Sequence, residues 1–396
     1  MKKHYQIWTY AAGLIVAIGT MNSAAAQETP IRIGFSMAQT GMLAQATPSQ
    51  LNTYNLWKDS VNARGGLDIG GGKRRPIEFV QYDDQSRPDQ AVRIYEKLIS
   101  DDKVDLLLPP WGTPFHIALA PVLEKYKFPM VGNTAASVAV RQVKPGYIWF
   151  TTSAIPDKIG PELVALATSN GVKSVAVINN VLPFTKELKT FLMPALKAAN
   201  IEVKVEGEYP PDIKDMTSLL TQITQAKPDA VLALSYPSDS VLYAKQAREL
   251  NLQAGFQFVA IGASDVPFRK AIGDAANGLV TIGHWAPTRS EWKGAKDFYD
   301  RYVQRYQVEP DFLNSALAWM SLEILEQAVA KAGLDKEKLR DTIANGTFET
   351  INGPVKFEGV QNTITPTAFL QIQKGKLELV WPKSIATSQF EPKKEW

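Results

Sequence analysis

The chain has no cysteine and only three histidines, His4, His116 and His284. Without cysteine no disulfide can staple the fold, and no lipid can be attached at an N-terminal Cys. So few histidines leave almost nothing from which to build a His/Cys metal site. An excess of one charge is also missing: 43 Lys and Arg face 40 Asp and Glu, with no run of like charge. No nucleic-acid or membrane-surface partner is therefore indicated. Beyond the N-terminus, no stretch approaches the roughly 20 apolar residues that a spanning helix needs. Motifs for covalent chemistry are lacking too. There is no Gly-x-Ser-x-Gly, and neither His116 nor His284 has a triad context. Gly70-Gly71-Gly72-Lys73-Arg74-Arg75 lacks the spacing of a phosphate loop and reads as a surface turn. Nothing supports an enzyme, and no cofactor or metal is expected.

What is present begins with a leader. Lys2 and Lys3 precede an apolar core, Ala11 to Ile18, and the small residues Ala24-Ala25-Ala26. This is the form of a cleavable secretory signal peptide spanning 1–26. The mature chain is expected to be soluble and exported. About 370 residues remain, more than one core usually serves, so two domains are expected.

The stretch from Val104 to Ser137 carries one short pattern twice. Val104 to Leu108 is an apolar run stopped by Pro109-Pro110, after which Gly112, Thr113 and Pro114 open a helix-compatible segment to Tyr126. Phe128 to Gly132 is the next apolar run, followed by Asn133-Thr134-Ala135-Ala136-Ser137. Each unit reads as a buried strand, a small-residue turn and a helix start. Free N–H groups and hydroxyls at such a start suit an anion such as a carboxylate. Parallel neighbours would open both turns on one sheet edge, where open α/β sheets bind ligands. Capping alone explains Thr113, Thr134 and Ser137 equally well.

The same alternation runs through most of the chain. Ile31 to Ser36 and Ile77 to Val80 are strands; Asp83 and Asp84 end the second and read as strand-exit residues rather than a catalytic pair. After Phe150-Thr151-Thr152-Ser153 the alternation starts again, with strands near Val175–Ile178, Glu202–Val205, Ala230–Leu234, Phe256–Ile261 and Leu279–Gly283. Helices are expected at about 157–169, 187–199, 216–225, 238–250, 292–306 and 312–331. The segments 355–357, 367–372 and 377–381 alternate like antiparallel strands. The class is α/β, with two doubly wound parallel-sheet domains.

These residues resemble a type I periplasmic substrate-binding protein of ABC importers, of the leucine/isoleucine/valine-binding type. The matching text is Ile31-Arg32-Ile33-Gly34-Phe35 with Thr40-Gly41, Val61 to Leu67, Tyr82 to Pro88 with Gln90-Ala91-Val92, and Pro129 to Thr134. The resemblance covers essentially the whole mature chain and implies two lobes joined by three crossovers, closing on a ligand in the cleft. By order along the chain the crossovers fall near Phe150–Ser153, Gly283–Trp285 and Val355–Val360. The N-terminal lobe is then 27–151 plus 285–355, and the C-terminal lobe 152–284 plus 356–396. The resemblance further implies a periplasmic location, a membrane permease as partner and a small organic ligand. A monomer is expected.

Ligand contacts implied by the resemblance fall on Trp111, Gly112 and Thr113, on Thr134, Ala135 and Ala136, and on Phe184 and Tyr236. Trp285, at a crossover, is added as an aromatic wall, and Phe312 is a further candidate. Taken alone, core packing explains Trp285 and Phe312 better. One departure bears on the ligand. Where amino-acid binders of the family place an acid for the ligand's ammonium, this chain has Gly262-Ala263-Ser264, and the nearest acid is Asp265. An unpaired ammonium in a closed cleft would cost several kcal/mol. The expected ligand is thus an aromatic or other apolar carboxylate. The alternatives are a branched-chain amino acid or amide, with Asp265 reaching in, or a soluble ligand sensor of the same fold.

Overall fold

A computed structural model describes residue 1 and residues 29–143 and 146–396. The leader read at 1–26 lies, Met1 apart, outside the described residues.

The apolar runs become parallel strands because both their faces are covered, which is why they read as continuous rather than alternating. Every residue of Ser174–Asn180 and of Ala230–Leu234 is buried. In the N-terminal part Ile31–Met37 lies between Ile77–Asp83 and Leu106–Leu107, parallel to both. Beside this, Met130–Gly132 pairs in parallel with Ile148–Phe150. The C-terminal part is a seven-stranded sheet. Its order is Lys376–Trp381, Phe369–Gln373, Leu279–Ile282, Phe256–Val259, Ala230–Leu234, Ser174–Asn180 and Glu202–Tyr209. Phe369–Gln373 runs antiparallel to both of its neighbours, and the remaining pairs are parallel. The edge strand Glu202–Tyr209 carries Glu202, Lys204, Glu206 and Glu208, charges that blunt edge-to-edge association.

The chain passes from the first group of strands to the seven-stranded sheet after Phe150 and leaves it again after Ile282. The third passage differs from the one expected at Val355–Val360. Gly353–Glu358 pairs with Gln361–Asn362, and Gln361 sits opposite Phe150, so both strands belong with the N-terminal sheet. The pair closes through Gly359-Val360, where Gly359 at φ +61° turns the chain. The return therefore runs between Asn362 and Phe369. Strand alternation is the same on either side of that point, so period alone could not locate it. Helix Lys336–Asn345, not anticipated, follows Asp335, whose carboxylate accepts the Lys338 N–H at 2.9 Å.

A continuous apolar cluster runs from Ile33 and Trp57 through Trp111 to Phe184, Tyr236 and Val177. Trp285 lies within it. Its ring is fully buried against Phe312 at 4.9 Å and Phe298 at 5.5 Å, edge to face.

Candidate functional site

The two turns of the repeated unit meet. Gly112, at φ +100°, precedes helix Thr113–Tyr126 in a conformation that a residue with a Cβ adopts only under strain. Its N–H donates to Thr134 Oγ1 at 2.9 Å, and the Ala136 N–H donates to Thr113 Oγ1 at 2.9 Å. The two threonines thus lace the turns reciprocally. The Thr134 hydroxyl donates to Asn133 Oδ1 at 3.2 Å. The Thr113 proton has no acceptor among the described residues, so this hydroxyl can donate to a ligand. The first N–H groups of the helix also lack carbonyl partners, as helix starts must.

His116 and Tyr54 hold this arrangement from beneath. The Gly112 carbonyl lies 2.8 Å from His116 Nδ1, and the Asn133 N–H donates to Nε2 at 3.3 Å. A neutral ring with its hydrogen on Nδ1 satisfies both, and burial holds His116 down at about 4. Gly132 must lack a side chain here, because a Cβ would stand 2.7 Å from the His116 ring. The Tyr54 hydroxyl donates to the Pro109 carbonyl and accepts from Asn133 Nδ2, both at 2.9 Å.

Above the turns is a cavity of about 240 Å³, many times the space one water needs. Trp111, Gly112, Thr113, Thr134 and Ala136 line it from the N-terminal side, and Phe184 and Tyr236 from the other. Tyr236 stands between two rings, edge to face with Trp111 and Phe184, each at 6.4 Å. Trp111 Nε1 donates to Asn314 Oδ1 at 3.2 Å, which fixes the indole. Tyr236 sits at the start of helix Pro237–Glu249, its N–H held by the Asp239 carboxylate at 3.1 Å. Among the described residues, no Asp, Glu, Lys or Arg lines the cavity.

A profile of the periplasmic binding protein family matches residues 30–376. The chain belongs to this family. It is 25% identical to the Leu/Ile/Val-binding protein homolog 7 of Brucella melitensis, over 98% of this chain and 99% of that protein. Among solved structures it resembles an ABC transporter solute-binding protein from R. palustris in complex with benzoate. That match has TM-score 0.79 and 20% identity, covering 92% of this chain and 97% of the other. The branched-chain amino acid transporter substrate-binding protein of Streptococcus pneumoniae, in complex with isoleucine, matches at TM-score 0.79 and 20% identity. It covers 89% of this chain and 100% of that one. Members of the family bind solutes and are not enzymes.

Four of the candidate residues in this periplasmic binding protein, Ala135, Gly262, Trp285 and Phe312, do not line the cavity. Ala135 is buried in a satellite core with Leu119 and Ile148. Gly262, at φ +103°, is pressed against Pro237, whose Cα a Cβ would meet at 2.8 Å. Trp285 packs in the core described above. Asp265 also stays out of the lining. It accepts the Val266 N–H at 3.0 Å, and burial together with the nearby Asp311 pushes its carboxyl up to about 7.

Sequence reasoning passed over most of the walls. Leu43, Ile159, Leu313 and Leu317 line the cavity and are ordinary apolar residues with no distinguishing pattern. Asn314, which also lines it, lies just beyond the candidate Phe312. His284 is the informative omission. It lines the cavity, and neither ring nitrogen finds a partner among the described residues.

Proposed function

We propose that this protein is the extracytoplasmic solute-binding component of an ABC importer, closing two lobes on an aromatic or otherwise apolar carboxylate. The observation that carries the ligand class is the uncharged lining. An α-ammonium would enter with no carboxylate to pair it, at a cost of several kcal/mol. A carboxylate would meet the Thr113 hydroxyl and the start of helix Thr113–Tyr126, whose N–H groups and dipole favour negative charge. Trp111, Tyr236 and Phe184 offer flat apolar walls on either side of the cleft. The R. palustris neighbour in complex with benzoate supports this class; the isoleucine complex supports the alternative.

The remaining parts of the proposal follow from it. The leader is removed after Ala26 and the mature chain acts in the periplasm as a monomer. The lobes are 29–151 with 285–362, and 152–284 with 363–396. Ligand contacts to both favour the closed form, which a membrane permease then recognises. The test is a thermal-shift screen of the chain from Gln27, unfolded and dialysed first to strip carried-over ligand. The panel holds aromatic carboxylates, short aliphatic acids, branched-chain amino acids and their amides. A compound at 100 times its dissociation constant adds about 2.7 kcal/mol of stability. Stabilisation by acids without an amino group is expected; stabilisation by leucine or valine alone would reverse the assignment.

A further inference from the structure

We propose that His284 selects for a hydroxyl substituent on the bound acid. The inference rests on the cavity being the solute site. It comes from a contrast between the two described histidines. Both are buried and both are held neutral, at about 4, by loss of solvent. His116 has both ring nitrogens matched by backbone groups. His284, 1% exposed, has neither matched, and it alone of the two lines the cavity.

Among the described residues its surroundings supply neither nitrogen with a partner. His284 leaves the strand Leu279–Ile282, and Ile261 and Ile282 line the same cavity with it. Trp285, the next residue, turns into the core and has an unmatched Nε1 of its own. A buried polar group is rarely left without a partner, and exceptions call for an explanation. His284 lines the cavity, so a molecule bound there can complete it.

The protonation state narrows what that molecule carries. A neutral imidazole presents one N–H donor and one bare acceptor nitrogen. A hydroxyl suits either, donating to the bare nitrogen or accepting from the N–H. A second carboxylate suits only the N–H and would bring a further charge into an uncharged lining. A site that hydrogen-bonds a substrate hydroxyl also rejects the analogue lacking it more strongly than an apolar pocket rejects a size change. His284 is therefore a specificity residue, beside the anion-binding turn rather than part of it.

Calorimetric titration with benzoate and with 2-, 3- and 4-hydroxybenzoate tests this. In the wild type at least one hydroxybenzoate isomer is expected to bind roughly ten-fold or more tightly than benzoate. In His284→Leu that ratio should fall to near one through lost affinity for the hydroxylated ring. His284→Gln, which keeps a donor and an acceptor, should retain part of it. Equal affinity for benzoate and all three isomers in the wild type, or a ratio that survives in His284→Leu, overturns the role of His284 and leaves the organic-acid assignment standing. Failure of all four acids to bind overturns the role of His284, and it overturns the organic-acid assignment as well if only leucine, valine or their amides bind.

Discussion

Thr113→Val removes one hydroxyl and keeps the side chain's size and branching, so its effects can be worked from two hydrogen bonds. The first is internal. The Ala136 N–H donates to Thr113 Oγ1 at 2.9 Å and would lose its acceptor. Ala136 is half-buried, so water partly replaces the lost partner, and the expected loss of stability is about 1 kcal/mol. The second is the proposed bond from the Thr113 proton to a ligand carboxylate. A hydrogen bond to a charged group contributes about 1.5–3 kcal/mol, which is roughly 10- to 100-fold in the dissociation constant. Binding should therefore suffer more than folding. Calorimetry with the tightest acid of the panel and urea unfolding of the ligand-free protein measure the two separately. Thr113→Ser keeps the hydroxyl and should stay near wild type in both. Wild-type affinity in Thr113→Val would refute the placement of the carboxylate, whatever happened to stability.

Tyr236→Ala removes the ring that stands between Trp111 and Phe184 and should weaken aromatic-acid binding by about ten-fold or more, read by the same titration. Glu323, whose carboxylate accepts from Trp319 Nε1 at 3.1 Å and the Ile351 N–H at 2.8 Å, is pushed up by burial to about 8. Its neutral form favours folding, so the contribution is full below its ordinary range and is lost as pH rises through 8. Between pH 7 and 8 this adds a downward slope of up to about 1.4 kcal/mol per pH unit to the unfolding free energy. Glu323→Gln should flatten the slope in urea titrations at several pH values. Asp265→Asn should leave acid binding within about two-fold of wild type. A loss of leucine binding in that variant would show instead that Asp265 pairs an ammonium.

Much of the candidate site was legible because its anchor is local. Gly112-Thr113-Pro114 and Asn133-Thr134 announce turns through residue types with fixed backbone and capping habits, and parallel strands bring such turns together by topology. Phe184 and Tyr236 followed from the family resemblance, which implies aromatic contacts in the loops of the second lobe. What sequence could not give depends on which atoms face which. Trp285 and Tyr236 are both aromatic residues just beyond a strand, yet one ring packs on Phe312 in the core and the other faces the cavity. His284 was readable only as a histidine, since an unmatched nitrogen exists only once the walls around it are known. The third crossover was misplaced for a related reason, because Gly353–Glu358 alternates identically whichever sheet it joins.

Asp265 shows how a neighbour decides a question that proximity in sequence leaves open. Asp311 accepts from Ser264 Oγ at 2.6 Å, from the Leu313 and Asn314 N–H groups at 2.9 and 3.1 Å, and from Asn314 Nδ2 at 2.5 Å. Burial, together with the nearby Asp311, drives Asp265 toward its neutral form, in which it could not offset an ammonium. Ionising Asp265 for that purpose would set two carboxylates against each other in a buried site. The same Asp311 steadies Asn314, which steadies the Trp111 indole through its Oδ1. One carboxylate thus orients an aromatic wall of the cavity and withholds the only acid that sequence offered for an amino group. Both effects favour an apolar acid over an amino acid.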